Sequence, residues 1–214
     1  MTTSVFSQVR PYVERITALG WSLLSTLLAL ILAAIALTQP IWALELSDGL
    51  GGLTRRAYSW SWVVEEDYMN GVWHTTTIRS YTGPTFTQFR VPEAIGTAYL
   101  VGVSFVVLLL VLVILEFLAR ARKVPVNAVP ITNIVAMGLG FVTLGLPALS
   151  IPAAAGDVGV IVSGFFGSAA AGGIAYTWGA GLSWWIWLVA TIIALVVFVV
   201  PLVQSRPGRP VLPR

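Results

Sequence analysis

The sequence predicts a membrane protein, an all-α four-helix bundle carrying a small extracellular antiparallel β-sheet. Three observations lead there. The 214 residues are 57% hydrophobic and only 10% charged, with a mean hydropathy of +0.87. A soluble domain carries about 25% charged residues, and a water-soluble fold of this size would lack the polar surface to cover itself. Four apolar stretches approach or exceed the roughly 20 residues needed to cross a bilayer. Between the first two, aromatic and β-branched residues alternate with polar ones, the period-two pattern of strands.

The first span covers residues 16–37. Arg10 and Arg15 before it and Ala34-Ile35-Ala36 near its end imitate a signal peptide. The apolar run exceeds the about 7–15 residues of a signal core, so a retained helix is expected. An outer loop follows at 38–94, the second span at 95–118 and a short cytoplasmic connection at 119–128. The third span is 129–151, the second outer loop 152–182, the fourth span 183–203 and the cytoplasmic tail 204–214. The tail is rich in Pro and Arg, a composition that does not order itself.

Orientation follows from Lys and Arg, which accumulate on the cytoplasmic side. Arg10, Arg15, Arg120, Arg122, Lys123, Arg206, Arg209 and Arg214 lie on one side, eight of the 12 basic residues. Only Glu14 and Glu116 of the nine acidic residues join them. Both termini are therefore expected in the cytoplasm of a multi-pass cell-membrane protein. The isoelectric point of 9.6 then reflects topology and contact with anionic lipid, and nucleic acid is not an expected partner.

In the long outer loop, Ala57–Val64 and Val72–Tyr81 read as strands around Asn70-Gly71, the favoured pair for a two-residue type I′ turn. That turn would set Trp60 opposite Tyr81, Trp62 opposite Arg79, Val63 opposite Ile78 and Asp67 opposite His74. One face of the hairpin would then carry Tyr58, Trp60, Trp62, Trp73, Arg79 and Tyr81, a candidate interface, since Trp, Tyr and Arg dominate recognition surfaces. The alternative is packing on the protein's own helices or on lipid headgroups. The other face would group Glu65, Asp67 and His74, two carboxylates and an imidazole suited to a divalent cation. The alternative there is a solvated acidic turn that needs no ligand. Because a two-stranded hairpin is marginal alone, Ile41–Leu46 and Val158–Val162 are expected to add strands. The Gly- and Ala-rich second outer loop, 152–182, is expected as a flexible apolar loop or a docking segment.

Other chemistry is sparse. Without cysteine there are no disulfides, thiolate metal sites or cysteine nucleophiles. With one histidine there is no bis-histidine haem or two-histidine zinc motif in this chain. Glu116 is expected at the cytoplasmic edge, paired with Arg120 four residues on, with proton transfer the alternative. Gly138, Gly140, Gly145 and Pro147 suggest close helix packing and a kink, or else a broken helix lining a path.

The pattern resembles the claudin-like tetraspan superfamily, which includes claudins, peripheral myelin protein and fungal cortical relatives. Pro40-Ile41-Trp42 after the first span looks like that family's Pro-x-Trp lead into its first strand. Trp60 or Trp62 falls where its Gly-Leu-Trp strand lies. Gly181-Leu182-Ser183-Trp184-Trp185-Ile186-Trp187 is similar to the aromatic Gly-x-Ser start of its last helix. The family's paired loop cysteines have no counterpart, and Val63 and Ile78 offer an apolar substitute in the expected register.

The expected function is that of a structural, adhesive or membrane-organising protein, neither enzyme nor cofactor carrier. It would work through lipid and through contacts with its own copies or other membrane proteins. The alternative is a non-catalytic accessory subunit of a respiratory, transport or secretion complex. A transporter or enzyme is disfavoured because the spans hold few polar groups.

Overall fold

The structure, a computed structural model, describes residues 5–82, 90–121, 123–124, 128–156 and 162–204. Among the described residues there are four helices: α1 (Val5–Ala36), α2 (Arg90–Arg120), α3 (Ala128–Gly156) and α4 (Leu182–Gln204). Six strands join one antiparallel sheet: β1 (Trp42–Ser47), β2 (Gly52–Tyr58), β3 (Trp62–Met69), β4 (Val72–Ser80), β5 (Gly167–Ala171) and β6 (Ile174–Ala180). Their order is β4-β3-β2-β1-β6-β5. The two outer loops of the sequence thus build one sheet, joined where β1 pairs with β6.

Helix packing follows from the buried positions. On α2 these include Ile95, Ala98, Gly102, Phe105, Leu109, Leu112 and Glu116, an alternation of three and four that keeps one stripe facing inward. α2 packs on α1 and α3, and α4 packs on α1 and α3. Gly102 makes room for Trp187, whose ring carbon would lie 2.3 Å from a Cβ added there. The Trp187 indole donates to the Ala33 carbonyl at 3.3 Å, so one side chain ties α4 to α1 across α2. Of Gly138, Gly140 and Gly145, only Gly140 sits at a close approach, to Thr191 and Phe105. The other two face open space, so the expected glycine packing reduces to one position.

The interior holds more polar groups than the sequence suggests. Thr26, Glu116, Asn133, Thr143, Ser183 and Thr191 are all buried. Glu116 is buried, 5% exposed. Thr26 on α1 donates to its Oε1 at 2.8 Å, and Arg120 Nη2 stands 3.9 Å from Oε2. Apolar periodicity alone does not reveal such groups, because each occupies one position on an otherwise apolar stripe.

Helices α2 (Arg90–Arg120) and Ala128–Ala155 of α3 are long and apolar enough to cross a membrane. Gly20–Ala36 and Leu182–Val197 are shorter apolar segments. The expected strand at Val158–Val162 falls, but for its last residue, outside the described residues, as do Arg122 and the tail from 205 to 214. What the second loop does contribute is the hairpin β5–β6, where a flexible loop or docking segment was expected. Its strands meet at Gly172-Gly173, whose φ values of 61° and 84° suit a two-residue left-handed turn.

Candidate interaction surface

The register fixes which side chains share a face, because successive residues of a strand point to opposite sides. Trp42, Leu44, Tyr58, Val63 and Trp178 are linked by the pairs Trp42↔Tyr58, Leu44↔Trp178 and Tyr58↔Val63. All five are buried, so theirs is the inner face. Its anchor lies where chain and helices meet. Ile41 donates to the Tyr58 carbonyl and Gly181 to the Ile41 carbonyl, each at 2.8 Å, and Ser183 donates to the Pro40 carbonyl at 2.9 Å. Trp42 and Trp178 donate from their indoles to the Phe165 and Gly164 carbonyls. At the start of α4, Phe165, Phe166, Trp184 and Trp185 form a continuous ring cluster.

The expected single strand Ala57–Val64 is instead two. Ser59 donates to the Trp62 carbonyl at 2.9 Å, closing a tight turn at Trp60-Ser61 between β2 and β3. The turn swings Trp60 onto α2, where its ring stacks on Tyr99 at 5.5 Å and 10°. The Tyr99 hydroxyl in turn donates to the Gln39 carbonyl.

The Asn70-Gly71 turn forms with both residues at positive φ, 52° and 76°, and its first pairs are Met69↔Val72 and Tyr68↔Trp73. Beyond them the register slips by one, so that Asp67 pairs with Thr75, Val64 with Ile78, Val63 with Arg79 and Trp62 with Ser80. His74 is the extra residue of a β-bulge. The slip corrects every expected cross-strand pair beyond it. Val63 does not oppose Ile78; its neighbour Val64 does.

The expected metal group is likewise not assembled. Glu65 is taken by two arginines, Arg56 Nε at 2.6 Å and Arg79 Nη2 at 3.1 Å. Asp67 accepts from the Thr54 hydroxyl at 2.8 Å. His74, pushed out by the bulge, is exposed. Among the described residues no group of three His, Cys, Asp or Glu side chains stands close enough to hold a metal ion.

Nor do the six expected interface residues share a face. Tyr58 is buried on the inner face, where loss of water pushes its phenol pKa upward, with Arg56 opposing. Trp60 lies on Tyr99. Tyr81 is half-buried and its hydroxyl donates to the Ser59 carbonyl at 2.8 Å; burial raises its pKa well beyond the ordinary phenol range. Arg79 stands on the inner side with Glu65. Only Trp62 and Trp73 remain on the outer face, together with Val64, Tyr68 and Ile78. Trp62, Trp73 and Ile78 are exposed. Tyr68 donates to Glu66 at 3.1 Å, and that bond to a carboxylate raises its own pKa.

On the outer face of β3 and β4, Trp62, Val64 and Ile78 therefore stand at one end and Tyr68 and Trp73 at the other, with Glu66 and Thr76 paired between them in a row that continues through Arg55 to Glu45. The expected register puts Ile78 on the face opposite Trp62, and the slip brings it onto the same face. No family model matches the chain, and no curated protein matches it.

Proposed function

We propose that the chain is a four-span membrane protein of claudin-like architecture that organises or joins membranes through protein contacts, without catalysis. One observation carries this reading: the helix faces turned away from the core are themselves apolar. Leu24, Leu28, Ile31 and Ile35 on α1 and Leu100, Val107, Leu110 and Ile114 on α2 are exposed, as are Phe141, Val142, Val189 and Ile192 on α3 and α4. Helices hydrophobic all round belong in a core or in lipid, and a soluble monomer rarely exposes so large an apolar surface. From Ala94 to Leu115, α2 carries no charge, and its 31 residues at about 1.5 Å each exceed a hydrocarbon layer of about 30 Å. The four helices form the bundle, and the sheet sits outside.

The buried polar side chains do not favour a transport reading. Phe105, Leu109, Leu112 and Trp187, fully or almost fully buried, pack within the same helix core, and a conducting path needs contiguous polar or hydrated groups. The outer face of the sheet supports a binding role.

The cysteine-free sequence allows a direct test of topology. In intact cells, an impermeant maleimide should label a Thr76→Cys variant and should label a Lys123→Cys variant only after permeabilisation. The reverse pattern would overturn the orientation, and equal labelling of both in intact cells would overturn the membrane placement. Gentle extraction then separates the two functional readings. Identical copies support an organising protein; a fixed set of different chains makes it an accessory subunit.

A further inference from the structure

We propose that the three hairpin tips at the far end of the sheet are a lipid-binding surface, which sets Leu50, Met69 and Val72 into the interfacial layer of an apposed bilayer. The proposal rests on the membrane reading above and names the second surface that the protein holds.

The topology brings the tips together. The helices join the sheet at one end, where Pro40, Ile41, Gly181 and Ser183 are hydrogen-bonded. The turns of β1–β2, β3–β4 and β5–β6 all lie at the other end, as the pairs Ser47↔Leu53, Ser47↔Ala175 and Gly52↔Met69 require. The strand steps from Trp42 to Ser47, about 3.3 Å each, carry the tips roughly 15 Å beyond the anchored end.

The tips are also alike in chemistry. Residues 49–52, 69–72 and 171–174 hold glycine, one asparagine and apolar side chains, with no charge among them. Leu50 is 88% exposed, Val72 69% and Met69 59%. That exposure is built into the backbone. Asp48 Oδ1 accepts from the Leu50 and Gly52 amides at 2.8 Å each, and the Asn70 amide donates to the Gly51 carbonyl at 2.7 Å. With Gly49 and Gly51 at φ 71° and 103°, the loop is fixed and holds Leu50 outward. Asp48, the acid beside it, is turned back into its own loop.

The layout of the tips selects a bilayer over a protein. A protein partner is recognised by a contiguous apolar core with a polar rim and matched charges. Here one or two apolar side chains per tip are strung along the end of six strands, a width of about 24 Å, with no charge between them to pair. A bilayer surface is that broad, needs no side-chain matching, and takes up apolar groups to a shallow depth. The residues behind the tips agree. Tyr68 and Trp73 are paired directly behind Met69 and Val72, and amphipathic rings belong at the boundary between lipid and water. Their polar ends bond Glu66 and Thr76 on the side away from the tip. The charged groups nearest the tips in the chain, Asp48 and Asp67, are both acidic, so the surface suits zwitterionic headgroups and gains nothing from anionic lipid.

The test uses the full chain reconstituted in phosphatidylcholine vesicles and mixed with protein-free vesicles of the same lipid carrying a fluorescent dye. The protein-bearing vesicles should capture the protein-free ones, equally in low and high salt. Leu50→Asp and Val72→Asp should each lower capture about tenfold, the change expected when an aliphatic side chain no longer leaves water. Ser80→Asp, at the anchored end of β4, should leave capture unchanged, and all variants should keep the wild-type circular-dichroism spectrum. Capture that requires protein on both sets of vesicles would identify a second copy as the partner and overturn the proposal. So would an absence of capture, capture that Leu50→Asp leaves intact, or an equal loss in Ser80→Asp. Flotation of the protein with its own vesicles reads membrane placement separately. A chain that floats without capturing vesicles refutes this proposal alone; one that does not float overturns the membrane reading with it.

Discussion

Strands β1 and β3 both open on a tryptophan, yet the fates of Trp42 and Trp62 differ. In β1, Trp42 and Leu44 vanish beneath the sheet, 1% and 3% exposed. In β3 and β4, Trp62, Trp73 and Ile78 stay in the open. Alternation tells which residues share a face, but not which face finds a partner. The covering of β1 comes from its neighbours in the chain: α1 ends just before it, and β6 delivers α4 just after Ala180. Within the sheet, the β3–β4 hairpin is joined through β2 alone. The anchored half of the sheet is therefore covered, and the outer face of the hairpin half stands open.

That contrast can be broken most severely at Gly181. A Cβ there would lie 2.2 Å from the Pro40 carbonyl oxygen, and backbone cannot move aside as a side chain does. Gly181→Val should cost more than about 3 kcal/mol, seen as loss of folded protein in detergent and a collapsed thermal transition. Next, two tryptophans should respond unequally. Trp42→Ala should destabilise by about 3–5 kcal/mol, whereas Trp73→Ala should stay within about 0.5 kcal/mol in monomer unfolding. Equal losses would erase the distinction between the two halves.

Alkaline titration sharpens it further. Tyr58 and Tyr81 have folded pKa values raised above the unfolded value near 10. Their contribution is intact below pH about 10 and is lost above it, where the unfolded chain releases protons that the folded chain keeps. Stability should fall by about 1.4 kcal/mol per pH unit for each phenol still protonated. Phenolate absorbance should show these two ionising only as the protein unfolds. The smallest effect belongs to the turn region. His74→Ala, or millimolar calcium or zinc, should shift the midpoint by no more than about 0.5 kcal/mol; a larger metal-dependent shift would restore the cation reading of Glu65, Asp67 and His74.

The helices were legible because apolar composition over 20 residues has few other meanings. Asn70-Gly71 was legible because both positions tolerate positive φ. Two features were not. The strand over Gly52–Tyr58 and the hairpin from Gly167 to Ala180 are built largely of Gly, Ala, Thr and Arg, without the β-branched run that marks a strand; Gly172-Gly173 was their one available signal. The slip at His74 left no trace, since three consecutive threonines fit either face equally. With it went the grouping of the interface residues.

The extra residue at His74 acts on strand β4 as a phase shifter. Everything from Thr75 to Ser80 takes its side from that one extra residue; were His74 drawn into the ladder opposite Asp67, the parity of six positions would invert at once. Arg79 would trade places with Ile78, and a greasy surface would become a cationic one without any change in residue types.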